Sequence, residues 1–175
     1  MTIGKKKTAR QTETAPLKWQ EAQTLLKLLK ADDKHETRLM FALGFYTGLR
    51  ISDILRLTWG QITSGPEAVV IEKKTGKSRR IQLNPDLQMI IKEARKWAGE
   101  RGALPGPGEF LFTSKRGPSI GSPLTVMGAN IRIKDVLEEY GIQTQNASSH
   151  CLRKTFARRV YEANGQTEDA LILLS

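Results

Sequence analysis

Several residue types are scarce in this chain, and each scarcity excludes a class of structure or site. Among its 175 residues there are one cysteine, Cys151, and two histidines, His35 and His150. A single cysteine excludes an internal disulfide and any zinc site built from several cysteines, so Cys151 is expected to fill the core. No stretch approaches the roughly 20 apolar residues that span a bilayer, and the polar N-terminus lacks the apolar run of a secretory signal. We therefore expect a cytoplasmic protein with no metal, no cofactor and no membrane partner.

Basic residues, in contrast, are abundant. The chain has 28 Lys and Arg against 18 Asp and Glu, which gives a net charge of +10 and a pI near 9.9. A balance this positive in one small domain favours a polyanionic partner, most often nucleic acid. An anionic membrane surface is the alternative, but it calls for an amphipathic helix with aromatic anchors, and aromatic residues make up only 6% of the chain.

Hydrophobic periodicity predicts a mainly α fold with a small antiparallel sheet, an α+β class. Residues 1–15 are polar and basic and are expected to form a flexible arm before a single domain over residues 16–175. Two apolar runs, 68–71 and 80–83, flank a polar stretch centred on Gly76, which is the pattern of a β-hairpin. Helices are predicted at about 19–31, 36–46, 50–57, 86–98, 123–140, 149–163 (with Leu152, Phe156 and Val160 in the core) and 167–175, and a short buried strand at 110–112.

The first of three basic clusters is the segment from Thr47 to Asp53. A turn at Gly48 leads directly into a helix that begins near Arg50. A cation at a helix N-terminus is disfavoured by about 0.3–1 kcal/mol, so an anion is expected beside it, and Asp53 is one turn away. A guanidinium held in this way is rigid and suits bidentate phosphate recognition, although an ordinary structural ion pair would leave the same pattern.

The second cluster surrounds the hairpin tip. It comprises Lys73, Lys74, Lys77, Arg79 and Arg80. A basic tip can enter the groove of a duplex and place a lysine on a backbone phosphate. The same charges would equally serve as an edge that discourages aggregation between strands. The pattern alone does not choose between these two roles.

The third cluster runs from Ser149 to Arg159. His150 and Arg153 are three positions apart, so they share one face at the start of the predicted helix. A helix N-terminus attracts anions through its free N–H groups, and an added imidazole and guanidinium make a phosphate site. The alternative is that His150 is merely a surface residue at a helix start.

In their order and spacing, the three clusters resemble the catalytic domain of the tyrosine recombinase (phage integrase) family. The resemblance is carried by TGLRISDILRLTW, KKTGKSRRIQL and SSHCLRKTFARR and covers residues 17–175. Each motif alone is weak, whereas the three in this order are specific. In that family two arginines, a lysine and histidine-type residues surround one scissile phosphate, which a tyrosine attacks.

Matched motif by motif, the resemblance implies four catalytic residues, which are Arg50, Lys74, His150 and Arg153. Asp53 would support them, and Lys73 or Lys77 would replace Lys74 if the hairpin register is shifted. Four basic residues around the motifs are implied as further DNA contacts: Lys73, Lys77, Arg79 and Lys154. Arg50, His150 and Arg153 are therefore expected to converge on one pocket.

The implied reaction is metal-free phosphoryl transfer on double-stranded DNA through a covalent 3′-phosphotyrosine. The family's tyrosine segment has no counterpart before Ser175, and Tyr46, Tyr140 and Tyr161 lie in the wrong places for it. The resemblance thus predicts a domain that is incomplete at its C-terminus and that forms a homo-oligomer on DNA when complete. The alternative is a noncatalytic DNA-binding or regulatory module on the same scaffold.

Overall fold

The computed structural model describes residues 14–102, 104–115, 118 and 120–165. These residues form seven helices and a two-stranded antiparallel sheet, which confirms the predicted mainly α fold. None of these helices is long and apolar enough to cross a bilayer. The elements are α1 (Trp19–Ala31), α2 (His35–Thr47), α3 (Ile51–Ile54), α4 (Trp59–Thr63), β1 (Glu67–Ile71), β2 (Ser78–Gln82), α5 (Pro85–Glu100), α6 (Val126–Glu139) and α7 (Ser149–Ala163).

The central element of the core is α2. It is apolar on nearly all sides, because every residue of its Leu39–Phe45 segment is buried, and it packs against α1, α5 and α7. The helix ends as predicted at Gly48, which adopts the left-handed conformation with φ 63° and donates its N–H to Gly44 O at 3.1 Å. A core helix with a defined end therefore fixes where the next segment begins.

The hairpin is present in the predicted place. Strands β1 and β2 pair antiparallel, with Ala68 opposite Ile81 and Val70 opposite Arg79. Ala68, Val70 and Ile81 are buried, so one face of the sheet covers the core while the other remains exposed. Gly76 supplies the positive φ of the connecting turn, at 68°.

The prediction for the segment after Arg50 was wrong. The predicted helix over 50–57 is only the single turn α3, and a second short helix, α4, follows it. The chain leaves the helix early because the Thr58–Phe110 bridge and the bond from Leu111 N to Leu57 O pull it into an extended path. The start of α4 is capped through Gln61, whose Oε1 accepts from Thr58 N at 2.9 Å.

The predicted start of α6 was also wrong. Residues 122–123 do not open the helix, because Pro123 forms a β-bridge with Thr113 and Leu124 N donates to Phe112 O at 2.9 Å. The helix begins at Val126 instead, with Thr125 Oγ1 accepting from Gly128 N at 3.0 Å. Pairing with residues 112–113 thus outweighed the local preference of the Ser-Pro sequence for a helix start.

The buried face of α7 differs from the predicted stripe. Cys151, Leu152 and Thr155 are buried, whereas Phe156 and Val160 are only half-buried. The helix turns this way because Thr155 Oγ1 is engaged in the interior, where it accepts from Leu17 N at 3.0 Å. Burial also raises the pKa of the Cys151 thiol, as befits a core residue.

The packed domain extends at least two residues further toward the N-terminus than predicted. Residues 1–13 of the predicted arm and the predicted helix at 167–175 lie outside the described residues. At the end of that arm, Thr14 is buried and donates Oγ1 to Asn146 O at 3.0 Å, and Ala15 N donates to Gln145 O at 3.2 Å. The packed domain therefore includes residues 14 and 15.

A partly buried ion pair joins α2 to α5. Arg38 is 6% exposed and donates Nη1 to Glu93 Oε2, and Lys30 Nζ donates to Glu93 Oε1 at 2.6 Å. Burial raises the pKa of Glu93, but the hydrogen bonds from Lys30 and Arg38 outweigh it and bring the pKa below its usual value. The pair therefore depends on Glu93 remaining ionised.

Replacing Glu93 with alanine should lower the free energy of unfolding by about 2–3 kcal/mol at neutral pH, since Arg38 is left buried without its partner. The folded pKa of Glu93 is lowered, so its contribution is complete above its usual pKa of 4.5 and is lost as the pH falls through the folded value. Denaturant unfolding followed from about pH 7 to pH 3 measures this loss, and Glu93→Gln should flatten it.

The matched control is Glu100→Gln, which removes the same charge from the same helix. Glu100 forms an exposed pair with Lys96 at 3.7 Å, so its replacement should change stability by less than about 0.5 kcal/mol. Equal losses in the two variants would contradict a special role for the Arg38–Glu93 pair.

Candidate functional site

The candidate site lies where the end of α2 meets the first turns of α7. Two glycines make this contact close, because a Cβ atom at Gly44 would lie 2.6 Å from Leu152 Cβ and one at Gly48 would lie 2.3 Å from Phe156 Cδ1. No other residue type leaves this space free. The close packing sets the first turns of α7 beside the start of α3.

Three of the four predicted catalytic residues meet at this place. Arg50, His150 and Arg153 line one cavity of about 310 Å³. Arg50 stands at the N-cap of α3, and the other two residues lie in the first two turns of α7. The structure therefore gathers basic side chains from two distant parts of the sequence around one space. The rest of the wall is formed by Leu49, Ile51, Ser52, Val126, Asn130 and Ser149.

Both arginines keep a buried donor without an acceptor. Among the described residues, Nη1 of Arg50 and Nη1 of Arg153 have no hydrogen-bond acceptor. An unpaired buried donor costs about 1–3 kcal/mol, and more when it is charged, so an anion that accepts from both would be stabilised here. Burial lowers the pKa of Arg153, as does repulsion from Arg50 and Arg79, whereas Glu72 and Asp53 raise it. The guanidinium remains charged at neutral pH.

The predicted ion pair between Arg50 and Asp53 was wrong. Arg50 Nη1 lies 3.3 Å from Oε2 of Glu72, the first residue of the turn between β1 and β2. Asp53 is 1% exposed and accepts a hydrogen bond from Lys73 N at 2.9 Å. The hairpin packs beside α3 and brings its own carboxylate and a backbone N–H, neither of which the residues around Arg50 reveal. Asp53 therefore ties the hairpin to α3.

The hairpin lysines do not line the cavity. Lys73, Lys74 and Lys77 are exposed in the turn between β1 and β2. Arg79, on β2, approaches the same carboxylate as Arg50, since its Nη1 lies 4.0 Å from Glu72 Oε1. Lys154, the remaining predicted DNA contact, is half-buried on α7 next to Arg153.

Sequence reasoning missed two residues of the site, Glu72 and Asn130. Asn130 Oδ1 accepts from Ser149 N at 2.8 Å and so satisfies one free N–H at the start of α7. The N-cap residue of α7 is Ser148, whose side chain accepts no hydrogen bond from the helix. Glu72 carried a signal as the single acid among the hairpin cations, whereas an asparagine within a helix carries none.

Comparison with known proteins identifies the family. The sequence matches the Phage integrase family over residues 16–171, which includes all three motifs and every residue of the cavity wall. The chain belongs to the phage integrase family. The resemblance inferred from the motifs is thereby confirmed.

This integrase-family chain is similar to curated bacterial recombinases. It is 31% identical over 149 residues to tyrosine recombinase XerD of Caulobacter vibrioides, covering 81% of this chain and 47% of the relative. It is 25% identical over 137 residues to tyrosine recombinase XerC of Xylella fastidiosa, covering 78% of this chain and 43% of the relative. The chain thus spans less than half the length of these two relatives.

Solved structures of integrases share the fold of this family member. The Tn1549 transposon integrase in complex with transposon right end DNA matches with a TM-score of 0.73 at 20% identity, over 98% of this chain and 59% of that one. The catalytic core of lambda integrase matches with a TM-score of 0.62 at 22% identity, over 91% and 90% of the two chains. The arrangement of helices and hairpin is therefore that of an integrase catalytic core.

The tyrosines of this integrase-family chain lie away from the cavity. All three are among the described residues, and none lines the cavity wall. Tyr46 packs edge-on against Trp19 with ring centroids 5.4 Å apart, and the Tyr140 hydroxyl donates to Asp32. In the same described part of the chain, no three His, Cys, Asp or Glu side chains lie close enough to hold a metal ion.

Proposed function

We propose that this chain is the phosphate-binding part of a tyrosine recombinase catalytic domain that acts on double-stranded DNA. The observation that carries the proposal is that Arg50, Arg153 and His150 line one cavity, and that Nη1 of each arginine is buried and has no hydrogen-bond acceptor among the described residues. Within the same part of the chain, Nη1 of Arg50 is held only by an ion pair with Glu72 at 3.3 Å. Two planar guanidiniums at one site suit the oxygens of a phosphodiester, which accept several charge-assisted hydrogen bonds.

In the proposed reaction a tyrosine oxygen attacks phosphorus while the bond to the 5′ oxygen breaks, which leaves a 3′-phosphotyrosine and a 5′-hydroxyl. Arg50 and Arg153 stabilise the charge on the non-bridging oxygens. His150 accepts the proton of the attacking hydroxyl, and Lys74 donates a proton to the leaving oxygen. Lys74 is exposed outside the cavity, so the hairpin turn has to move for this step, and Lys73 or Lys77 would serve if it reaches the phosphate first.

The attacking tyrosine is none of the three in this sequence, because they lie elsewhere on the molecule. The proposal therefore assigns to this chain the binding and charge stabilisation of the phosphate. We further propose that integration or excision of DNA requires several copies of the protein on one duplex. We propose a prokaryotic or phage context, with the protein bound to DNA in the cytoplasm, because the relatives that it resembles are bacterial recombinases.

Binding to a short duplex should weaken steeply as salt rises from about 50 to 200 mM, because each phosphate contact releases condensed counterions. Lys77→Ala should reduce the slope of log affinity against log salt by about one, since this exposed lysine is proposed to contact a phosphate. Fluorescence anisotropy with a labelled duplex measures both effects.

Lys27→Ala is the control, because Lys27 is exposed on α1 and the change removes the same charge. It should leave the slope unchanged. A flat salt dependence of the unmodified chain would remove DNA as the partner, and equal slopes for the two variants would remove Lys77 from the contact surface.

A further inference from the structure

Glu72 is the one acid in the segment from residue 72 to residue 80, among the five cations of the hairpin. Its side chain is 15% exposed, and its two carboxylate oxygens face two arginines. Oε2 lies 3.3 Å from Arg50 Nη1, and Oε1 lies 4.0 Å from Arg79 Nη1. A carboxylate therefore occupies the neighbourhood of the guanidinium that is proposed to take a DNA phosphate.

The same residue organises the turn that carries the lysines. Glu72 Oε2 accepts from Thr75 Oγ1 at 2.9 Å, its carbonyl accepts from Gly76 N at 2.8 Å, and its N–H donates to Lys77 O at 3.0 Å. The bond from Thr75, together with Arg50 and Arg79, lowers the pKa of Glu72 against the opposing effect of burial, so the carboxylate is ionised at neutral pH. One side chain thus joins Arg50 to the lysine-bearing turn.

We infer that Glu72 is a latch, an internal anion that holds Arg50 and the hairpin turn together until a DNA phosphate displaces it. This inference rests on the proposed function. The contact with Arg50 is an ion pair with Nη1 and Oε2 3.3 Å apart, longer than a charge-assisted hydrogen bond of about 2.7–2.9 Å. A phosphate oxygen, which can accept a charge-assisted bond in good geometry, competes well with such a contact.

Two consequences follow from the exchange of one anion for another. While Glu72 remains near Arg50, the guanidinium is partly neutralised and contributes little to DNA binding. When a phosphate replaces the Glu72 carboxylate beside Arg50, the turn between β1 and β2 is no longer held to Arg50. Lys74, which lies outside the cavity while that contact is made, is then free to move toward the phosphate. The latch is therefore a positioning device for both Arg50 and Lys74.

The test compares Glu72→Gln with the unmodified chain in binding to a labelled mixed-sequence DNA duplex. Glutamine keeps an oxygen that can accept from Thr75 but removes the charge. Affinity should rise about three- to five-fold, the range expected for loss of one competing, partly exposed ion pair. The slope of log affinity against log salt should also steepen by up to about one, because Arg50 then neutralises a phosphate fully.

Glu67→Gln is the matched control, since it removes the same charge from the same hairpin. Glu67 is exposed on β1, and its side chain accepts from Gln82 Nε2 at 2.5 Å. Its affinity change should stay below about two-fold with an unchanged slope. In an Arg50→Ala background, the gain from Glu72→Gln should fall to that of the control, because the latch acts through Arg50.

The outcomes separate the latch from the proposed function. If the unmodified chain shows no salt-sensitive duplex binding, the proposed function fails. If it binds but Glu72→Gln matches Glu67→Gln or binds more weakly, the latch alone is wrong. A gain that persists in the Arg50→Ala background would also overturn it, since a general charge effect would then explain the result.

Discussion

Replacing Arg153 with alanine should slow covalent attachment to DNA by about 10²–10³-fold, the usual loss when one preorganised donor to a developing charge is removed. The assay requires a longer version of the chain that carries a family tyrosine, and it counts protein–DNA adducts resistant to denaturation. Fold stability should be unchanged or slightly raised, because Arg153 keeps a buried Nη1 without an acceptor.

Arg158→Ala serves as the control on the same helix. Arg158 is exposed and pairs with Glu162 at 2.7 Å, so its replacement should leave adduct formation intact. Adduct formation at the normal rate in Arg153→Ala would remove this residue from the site. Absence of adducts in the unmodified longer chain, despite salt-sensitive binding, would favour the noncatalytic DNA-binding module.

Replacing Gly48 with alanine should lower the free energy of unfolding by about 2–5 kcal/mol. The left-handed backbone accounts for about 1–2 kcal/mol, and crowding of a packed contact for about 1–3 kcal/mol. The crowding arises because the added Cβ would lie 2.3 Å from Phe156 Cδ1. Denaturant unfolding at neutral pH measures the change.

Gly76→Ala separates the two causes. Gly76 has almost the same backbone conformation, φ 68° against 63° at Gly48, but an added Cβ would meet nothing within 4 Å. Only the conformational part, about 1–2 kcal/mol, should be lost there. Similar losses at both glycines would mean that α2 and α7 do not approach each other as closely as described.

The Gly48 comparison also bears on the site, because the same contact places Arg153 near Arg50. A variant that is less stable yet still folded should bind duplex DNA with a smaller dependence on salt, since the two guanidiniums no longer share one cavity. Gly48 therefore connects the packing of the core with the geometry of the proposed phosphate site.

Elements with strong local signals were predictable. The apolar run of α2 and its glycine stop, the hairpin with Gly76 in its turn, and the extent of α7 all follow from periodicity and turn chemistry. The errors at α3 and α6 share one cause. In both places the backbone is drawn into β-bridges by the 110–113 segment, and such pairing between distant residues leaves no trace in a local window.

The candidate site likewise contains residues that the sequence predicted and contacts that it did not. The residue types at Arg50, His150 and Arg153 were recognisable because the three motifs follow each other in a specific order. The partners of these residues were not, since Asp53 is one turn from Arg50 but bonds to Lys73 N, while the carboxylate near Arg50 comes from the hairpin. The spacing of two residues along a helix therefore predicted their ion pair wrongly where another element, the hairpin, packs against that helix.

Composition and motif order were thus enough to predict the family, the mainly helical class and the basic residues that could meet a phosphate. Which donors stay unpaired, which carboxylate approaches Arg50 and whether the hairpin lysine faces the cavity were decided by packing alone. The reason is physical: side-chain types and turn preferences are local properties of a chain, whereas desolvation and ion pairing depend on which distant elements come into contact.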